Sequence, residues 1–197
     1  SIDVELSILP AFPETKPLEI NDRKWFTSYV NQFPPYSDFN FVSLFSYDTE
    51  SDAEIAIRNG NMVLKFRDYV TNEPFFTFIG DKDIVDTTRT LLSHAKSQGI
   101  AEELKLVPES VINAAPLLEE EFLIAEDRDN FDYILDLQEI STLKGSRFDS
   151  KRNLVNRFHR DNPNAEIRPL ALHDLIVKEQ IMDVFSAWEH GKGETGE

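Results

Sequence analysis

The sequence predicts an α/β (α+β) fold with a mixed, mostly antiparallel central sheet flanked by helices. Residues 54–66 alternate apolar and polar side chains on both sides of Asn59-Gly60, a pair that favours a two-residue hairpin turn. A short aromatic strand follows at Pro74–Ile79, and a helical pattern runs from Asp81 to Gln98. A hairpin extended by a third strand and followed by a helix is typical of an antiparallel sheet with helices on its faces.

The composition indicates a globular protein with a substantial core. The chain has 197 residues, of which 41% are hydrophobic and 15 are phenylalanine. It contains no cysteine, which excludes disulfides and thiolate metal sites and agrees with a reducing cytoplasm, the location we expect. No apolar run approaches about 18 residues, so we expect no membrane span. The net charge of -16 disfavours nonspecific binding to nucleic acid, and we expect no DNA partner.

The N-terminal region is expected to lead irregularly into two helices. Residues 1–17 are rich in proline and are predicted as an irregular lead-in with one short strand near Val4–Leu9. Asn21 is the expected N-cap of the first helix, which a Pro-Pro pair then stops. Ser37 or Asp38 is the expected N-cap of the second.

Beyond the third strand, the chain is expected to alternate helices with short strands. Asp81 is predicted to cap the helix that follows this strand, and Gly99 to end it. The later predicted elements are a strand at Glu103–Val107, a short helix from Pro108, paired strands at Phe122–Ala125 and Asp132–Asp136, a helical turn at Glu139–Leu143, a helix from Asp149 or Ser150 to Asn162, a strand at Ile167–Leu170 and a helix at His173–Glu189. Residues 18–190 are predicted to form one domain, and residues 191–197 a linker or chain-end tail.

One stretch reverses the charge of this acidic chain. Lys144 to Arg160 carries six of the 20 lysines and arginines and one of the 36 acidic residues. Two interpretations stay open: the arginines pair with the protein's own carboxylates, each pair contributing little, or they bind an anion such as phosphate or carboxylate. The candidate anion-binding residues are Lys151, Arg152, Asn153, Asn156, Arg157 and Arg160.

Other motifs carry less information. Gly191 to Gly196 has the G-x-G-x-x-G spacing but lacks the preceding strand and following helix that a pyrophosphate site needs. Ser141 to Lys144 matches S-x-x-K without the companion motifs of the serine acylases. The four histidines stand singly, so no metal site is expected. A loop of three residues after Pro-Pro is a weaker candidate for a cleft: Tyr36, Ser37 and Asp38.

Several segments together resemble a known family. They are Phe33–Phe41, the hairpin turn at Asn59-Gly60, Asp132–Ile134, Leu143–Gly145 and, most specifically, Lys151–Phe158. Over about residues 18–190 they are similar to the bacterial domain family of unknown function related to the C-terminal domain of phosphatidylglycerol lysyltransferase. That domain resembles two acyltransferase-type (GNAT) folds in tandem. The family pattern runs longer than this chain, so we expect the first half alone.

The resemblance implies a transferase of acyl or aminoacyl groups. For the full-length protein it leaves acyl-CoA and aminoacyl-tRNA open as donors, and it implies a second GNAT-like domain, C-terminal to this chain, as partner. We expect this half to be non-catalytic and inactive alone, to form one wall of the substrate cleft and to dock the second half through the region of Lys151–Arg160 and Val184–Trp188. The alternatives are a module that binds an anionic small molecule or tRNA through the basic helix, and a free-standing small acyltransferase.

The expected nucleotide-binding turn argues against the last alternative. Acyltransferases of this fold bind the coenzyme A pyrophosphate at a glycine-rich turn that opens a helix after the central strand. The corresponding turn offers only Gly80, followed by Asp81, Asp83 and Asp86, whose carboxylates would repel a pyrophosphate. We therefore expect no cofactor in this half.

Overall fold

A computed structural model describes residues 8–33, 39–48, 50–132 and 135–193. The chain forms two compact units, Ser1–Tyr133 (unit 1) and Ile134–Glu197 (unit 2). The predicted domain limits at 18 and 190 stay predictions.

A four-stranded antiparallel sheet lies at the centre of unit 1. Its strands are adjacent in chain order: β1 (Lys16–Pro17), β2 (Glu54–Arg58), β3 (Asn61–Arg67) and β4 (Pro74–Ile79). Asn59 and Gly60 have φ of 53° and 77°, as a type I′ turn requires. The predicted fold class, hairpin and third strand are confirmed.

Helices cover both faces of this sheet. Two helices lie on one face, α1 (Arg23–Val30) and α2 (Phe41–Tyr47). A single turn of 3-10 helix at Ile20–Asp22 precedes α1. The other face packs against α3 (Ile84–Ser97), α4 (Glu109–Ala114) and α5 (Leu118–Glu121). Successive side chains of a strand point to opposite faces of the sheet, so each strand contributes to two cores. Ile55, Met62 and Leu64 lie in the first core, and Ala56, Val63 and Phe78 lie in the second.

A buried asparagine fixes the turn that follows β4. Asn61 is 0% exposed, and its Nδ2 donates to the Lys82 carbonyl at 2.6 Å and to Thr87 Oγ1 at 3.1 Å. Its Oδ1 accepts from the Lys82 N–H at 3.1 Å. Gly80 leaves room for this side chain, because a Cβ there would lie 2.1 Å from Asn61 Oδ1. The backbone donor of Lys82 is therefore already in use.

Unit 2 contains helices and no strand among its described residues. These helices are α6 (Leu137–Thr142), α7 (Asp149–Asp161), which a 3-10 turn at Ser146–Phe148 precedes, and α8 (Leu175–Gly193). The predicted basic and C-terminal helices are confirmed. The latter continues into the predicted tail, while residues 194–197 lie outside the described part of the chain.

Several predicted strands are wrong. Glu103–Val107 contributes only one bridge, between Leu104 and Phe76, because Leu106 has φ of 59° and interrupts the extended conformation. No strand forms at Phe122–Ala125, at Ile167–Leu170 or at the described residues of 132–136. The strand expected near Val4–Leu9 lies mostly outside the described residues. The runs at Phe122–Ala125 and Ile167–Leu170 find no neighbouring strand among the described residues with which to form a ladder.

Three predicted helix caps also need correction. Asp22, not Asn21, organises the start of the first helix, since its carboxylate accepts from the Glu19 N–H at 2.8 Å. Asn40 caps α2 by accepting from the Val42 N–H at 2.9 Å, and the proposed caps Ser37 and Asp38 lie outside the described residues. α3 begins after Asp83 rather than at Asp81.

Tyr29 links the first core to the hairpin and makes stability depend on pH. Its hydroxyl donates to the Ile79 carbonyl at 2.8 Å, and burial raises the pKa of Tyr29 to about 12. Because the pKa in the folded state lies above the usual 10, the neutral Tyr29 hydroxyl contributes fully to the free energy of unfolding below pH 10. This contribution declines as the pH rises from 10 to 12. Between pH 9 and 11 we expect a loss of about 1.4 kcal/mol from this group.

Urea unfolding at pH 9 and 11 measures this contribution. Tyr29→Phe should lose less stability than the wild type over that interval, by about 1.4 kcal/mol. Tyr69→Phe is the matched control, because Tyr69 is 80% exposed. Equal pH dependence in wild type and Tyr29→Phe would contradict the assignment.

Candidate functional site

Of the six residues predicted to bind an anion, Arg152 has a structural role. Its guanidinium contacts the carboxylate of Asp149 and the carbonyl of Leu143, and donates to the Gly145 carbonyl at 3.0 Å. These bonds hold the segment before α7 against the first turn of the helix. Arg147 likewise pairs with Glu139. For these two arginines, the interpretation as internal ion pairs holds.

The other predicted residues divide between two faces of α7. Helical spacing places Asn153, Asn156, Arg157 and Arg160 on one face. Lys151 lies on the other face, together with the apolar side chains. Within the part of the chain that the structure describes, Arg157 makes no ion pair, and Arg160 makes one weak contact of 3.4 Å with Asp161.

The polar face of α7 has the chemistry of a small anion site. Two guanidinium groups, on Arg157 and Arg160, stand beside two amides that donate and accept hydrogen bonds, on Asn153 and Asn156. All four residues are exposed, so their interaction with phosphate or carboxylate would be screened by salt. The face can therefore bind an anion, but weakly.

Apolar side chains of α7 and α8 are exposed to an unusual degree. On α7, Leu154, Val155 and Phe158 are 51%, 43% and 49% exposed. On α8, Val184 and Phe185 are 71% and 48% exposed. Clusters of this kind on a protein surface mark places where another surface binds. We call these five residues the apolar faces of unit 2.

The turn between β4 and α3 is poorly suited to bind a pyrophosphate. The Lys82 N–H bonds to Asn61 at 3.1 Å, and α3 begins only at Ile84. Asp86 in the first turn accepts from Asn59 Nδ2 at 2.9 Å and from the Arg58 guanidinium at 3.0 Å. These two bonds, the Asn59 bond foremost, lower the pKa of the Asp86 carboxyl. The turn thus carries negative charge where a pyrophosphate would need donors.

A cavity of about 450 Å³ in unit 1 was not anticipated from the sequence. It lies between α2, the turn that joins β3 to β4 and the segment around Lys105. Its lining comes from separate parts of the chain, between Ser43 and Asn130, so no local motif marks it. Two tyrosines of its lining, Tyr47 and Tyr69, are 77% and 80% exposed.

The predicted cleft loop stays a prediction, and the described residues hold no metal cluster. Tyr36, Ser37 and Asp38, the predicted cleft loop, lie outside the described residues. Across the described ranges, no three histidine, aspartate or glutamate side chains come close enough together to hold a metal ion. Among the same residues no helix has the length and apolar character needed to cross a membrane.

Comparison with known proteins identifies the family. A crystal structure of a conserved protein of unknown function from Bacteroides thetaiotaomicron VPI-5482 is similar to this chain, with a TM-score of 0.71 and 23% sequence identity. The similarity covers 96% of this chain and 62% of that one, and it supports the fold alone. No curated protein matches. The family model described as phosphatidylglycerol lysyltransferase, C-terminal, matches residues 31–197, which confirms the resemblance predicted from the sequence. This chain therefore belongs to the phosphatidylglycerol lysyltransferase C-terminal family.

Proposed function

We propose that this chain is the N-terminal, non-catalytic half of a tandem GNAT-like transferase of acyl or aminoacyl groups, acting in the cytoplasm. It forms one wall of the substrate cleft and docks a second GNAT-like half, which follows it in the same polypeptide. Membership of the lysyltransferase family supports a transferase-related role.

The exposure of the apolar faces of unit 2 is the observation that carries this proposal. A half-exposed phenylalanine or leucine gains roughly 1 kcal/mol or more when a partner covers it, and three such residues and two exposed valines lie on these two helices. The similar crystal structure has a longer chain, of which this one spans 62%. A further domain of the same polypeptide is an occupant of suitable size. A gene that stops at Glu197 would contradict the proposal.

The turn after β4 supports the non-catalytic assignment. A pyrophosphate needs several free N–H groups and a positive potential. Here Asn61 occupies the Lys82 donor and Asp86 adds negative charge. Acyl-CoA or aminoacyl-tRNA would accordingly bind the second half of the full-length protein.

Isothermal titration with coenzyme A tests that assignment directly. The 197-residue chain should show no binding at ligand concentrations up to about 1 mM, and its heats should equal those of 3′-dephospho-coenzyme A. Tight binding that depends on the 3′-phosphate would contradict the assignment.

The basic face of α7 favours a second candidate function, the binding of tRNA or a small anionic molecule. Arg157 makes no ion pair among the described residues, although the chain carries a large excess of carboxylates. A free guanidinium beside two amides is suited to a phosphate. On this hypothesis the chain is a binding module.

Salt dependence separates the two functions. Two phosphate contacts, from Arg157 and Arg160, predict a slope of roughly -1.5 for log affinity against log salt with tRNA. Arg157→Ala should reduce the magnitude of this slope by about half, whereas Arg23→Ala on α1 should leave it unchanged. No binding, or equal effects of the two substitutions, would exclude the module and leave the docking function.

A further inference from the structure

The cavity in unit 1 has the size and the apolar floor of a ligand site. Small-molecule pockets usually enclose about 300–1,000 Å³ and combine apolar surface with a few polar groups. This one encloses about 450 Å³. Leu44 and Leu106 contribute aliphatic surface, and Phe66 and Phe75 meet edge to face with ring centroids 4.6 Å apart. An apolar chain can therefore lie against the floor.

The charged groups around this floor give the cavity a negative balance. Its lining includes four carboxylates and two cations, namely Asp48, Glu50, Asp52, Asp68, Arg67 and Lys105. Most of these carboxylates are already bonded. Asp48 accepts from the Asp52 N–H at 2.9 Å, and Asp52 binds Arg67 at 2.5 Å.

Glu50 is the carboxylate with unused capacity. Its ion-pair partner among the described residues is Arg67, whose Nε lies 3.5 Å from Glu50 Oε2. Arg67 is engaged more closely elsewhere, since it also donates to the Asn72 carbonyl at 2.9 Å. The Glu50 side chain is 56% exposed, so it can turn toward a ligand at the mouth of the cavity.

The cavity wall already holds one ammonium group, that of Lys105. The Lys105 Nζ lies 3.0 Å from Asp68 Oδ2 and 5.7 Å from the centroid of the Phe75 ring. The bond to Asp68 raises the pKa of Lys105. Backbone donation from Thr71, followed by the Lys105 bond, lowers the pKa of Asp68. A carboxylate combined with an aromatic face is the environment that favours an organic cation.

We propose that this cavity binds a small alkylammonium ligand. Its apolar stem lies on Leu44, Phe66 and Leu106, and its ammonium group pairs with Glu50 at the mouth, where the exposed rings of Tyr47 and Tyr69 add cation–π surface. A carboxylate ligand of the same length would meet the excess of negative charge. The proposal concerns unit 1 alone and does not depend on the docking of a second half.

A matched series of three ligands, n-hexylamine, 1-hexanol and hexanoate, tests the proposal. Each is titrated into the full 197-residue chain, and binding is measured from the amide chemical shifts of the protein. Hexylamine should shift the amide resonances of residues 66–75 and 105–106. It should bind at least about fivefold more tightly than hexanol, and hexanoate should bind most weakly. Glu50→Gln should weaken hexylamine binding about threefold or more. Glu119→Gln, an exposed carboxylate on α5, should not change it.

Three outcomes would overturn the proposal. Hexanol binding as tightly as hexylamine would identify an apolar cavity without preference for charge. If hexanoate binds more tightly than hexylamine, the positive charges of Arg67 and Lys105 determine which ligand the cavity binds. Equal affinities of wild type and Glu50→Gln would remove the carboxylate from recognition.

Discussion

Gly80→Ala is expected to destabilise unit 1 by about 3–5 kcal/mol. Two costs combine. Gly80 has φ of 145°, a conformation that residues with a Cβ rarely adopt and that costs roughly 1–3 kcal/mol. The new Cβ would also lie 2.1 Å from Asn61 Oδ1 and 2.8 Å from its Cγ. Asn61 cannot move away without losing its bonds to Lys82 and Thr87 inside the core.

Gly99→Ala is the control, because Gly99 shares the positive φ but not the close contact. Gly99 has φ of 70°, and a Cβ there would meet no atom within 4 Å. This substitution should cost about 1 kcal/mol in urea unfolding. The double variant Gly80→Ala/Asn61→Ala should be less destabilised than the sum of the single variants. A Gly80→Ala cost equal to that of Gly99→Ala would show that the contact has no energetic consequence.

Phe185→Asp is expected to have a small effect on the stability of the 197-residue chain and a large effect on that of a polypeptide extended by the proposed second half. In the 197-residue chain Phe185 is 48% exposed, so the substitution should change stability by less than about 0.5 kcal/mol. In a polypeptide extended by the second half, the proposed docking would bury this side chain. An unpaired carboxylate there should then cost about 3 kcal/mol or more.

Leu123→Asp is the control for this comparison. Leu123 is 98% exposed on unit 1, outside the proposed docking surface, and its substitution should be neutral in both forms. Thermal or urea unfolding of the four proteins measures the differences. If Phe185→Asp is equally mild in both forms, α8 does not contribute to docking.

Locally encoded parts of the fold could be predicted from the sequence. The Asn59-Gly60 pair supplies both positive-φ residues of its turn, so the hairpin and its register follow from neighbouring residues. The end of α3 is encoded in the same local way, since Gly99, with φ of 70°, follows the last residues of the helix. The basic character of α7 was likewise evident from composition alone.

Features that depend on distant partners could not be predicted in this way. Whether Glu103–Val107 forms a strand depends on how far it can pair with β4, and only Leu104 does so. The use of Arg152 as a structural residue depends on carbonyl groups seven and nine positions away. The cavity is assembled from side chains far apart in the chain, and the role of Asn61 becomes visible only when Gly80 lies beside it.

The proposed docking of a second half of the same protein places that half on the apolar faces of unit 2. Amide hydrogen exchange of residues 149–161 and 175–193 tests this most directly, in the 197-residue chain and in a polypeptide that also carries the proposed second half. We expect rapid exchange in the short chain and exchange at least about 100-fold slower in the long one. In the long chain the second half must undock before these helices open, so the free energy of opening is larger. Equal exchange rates in these two helices would contradict the claim.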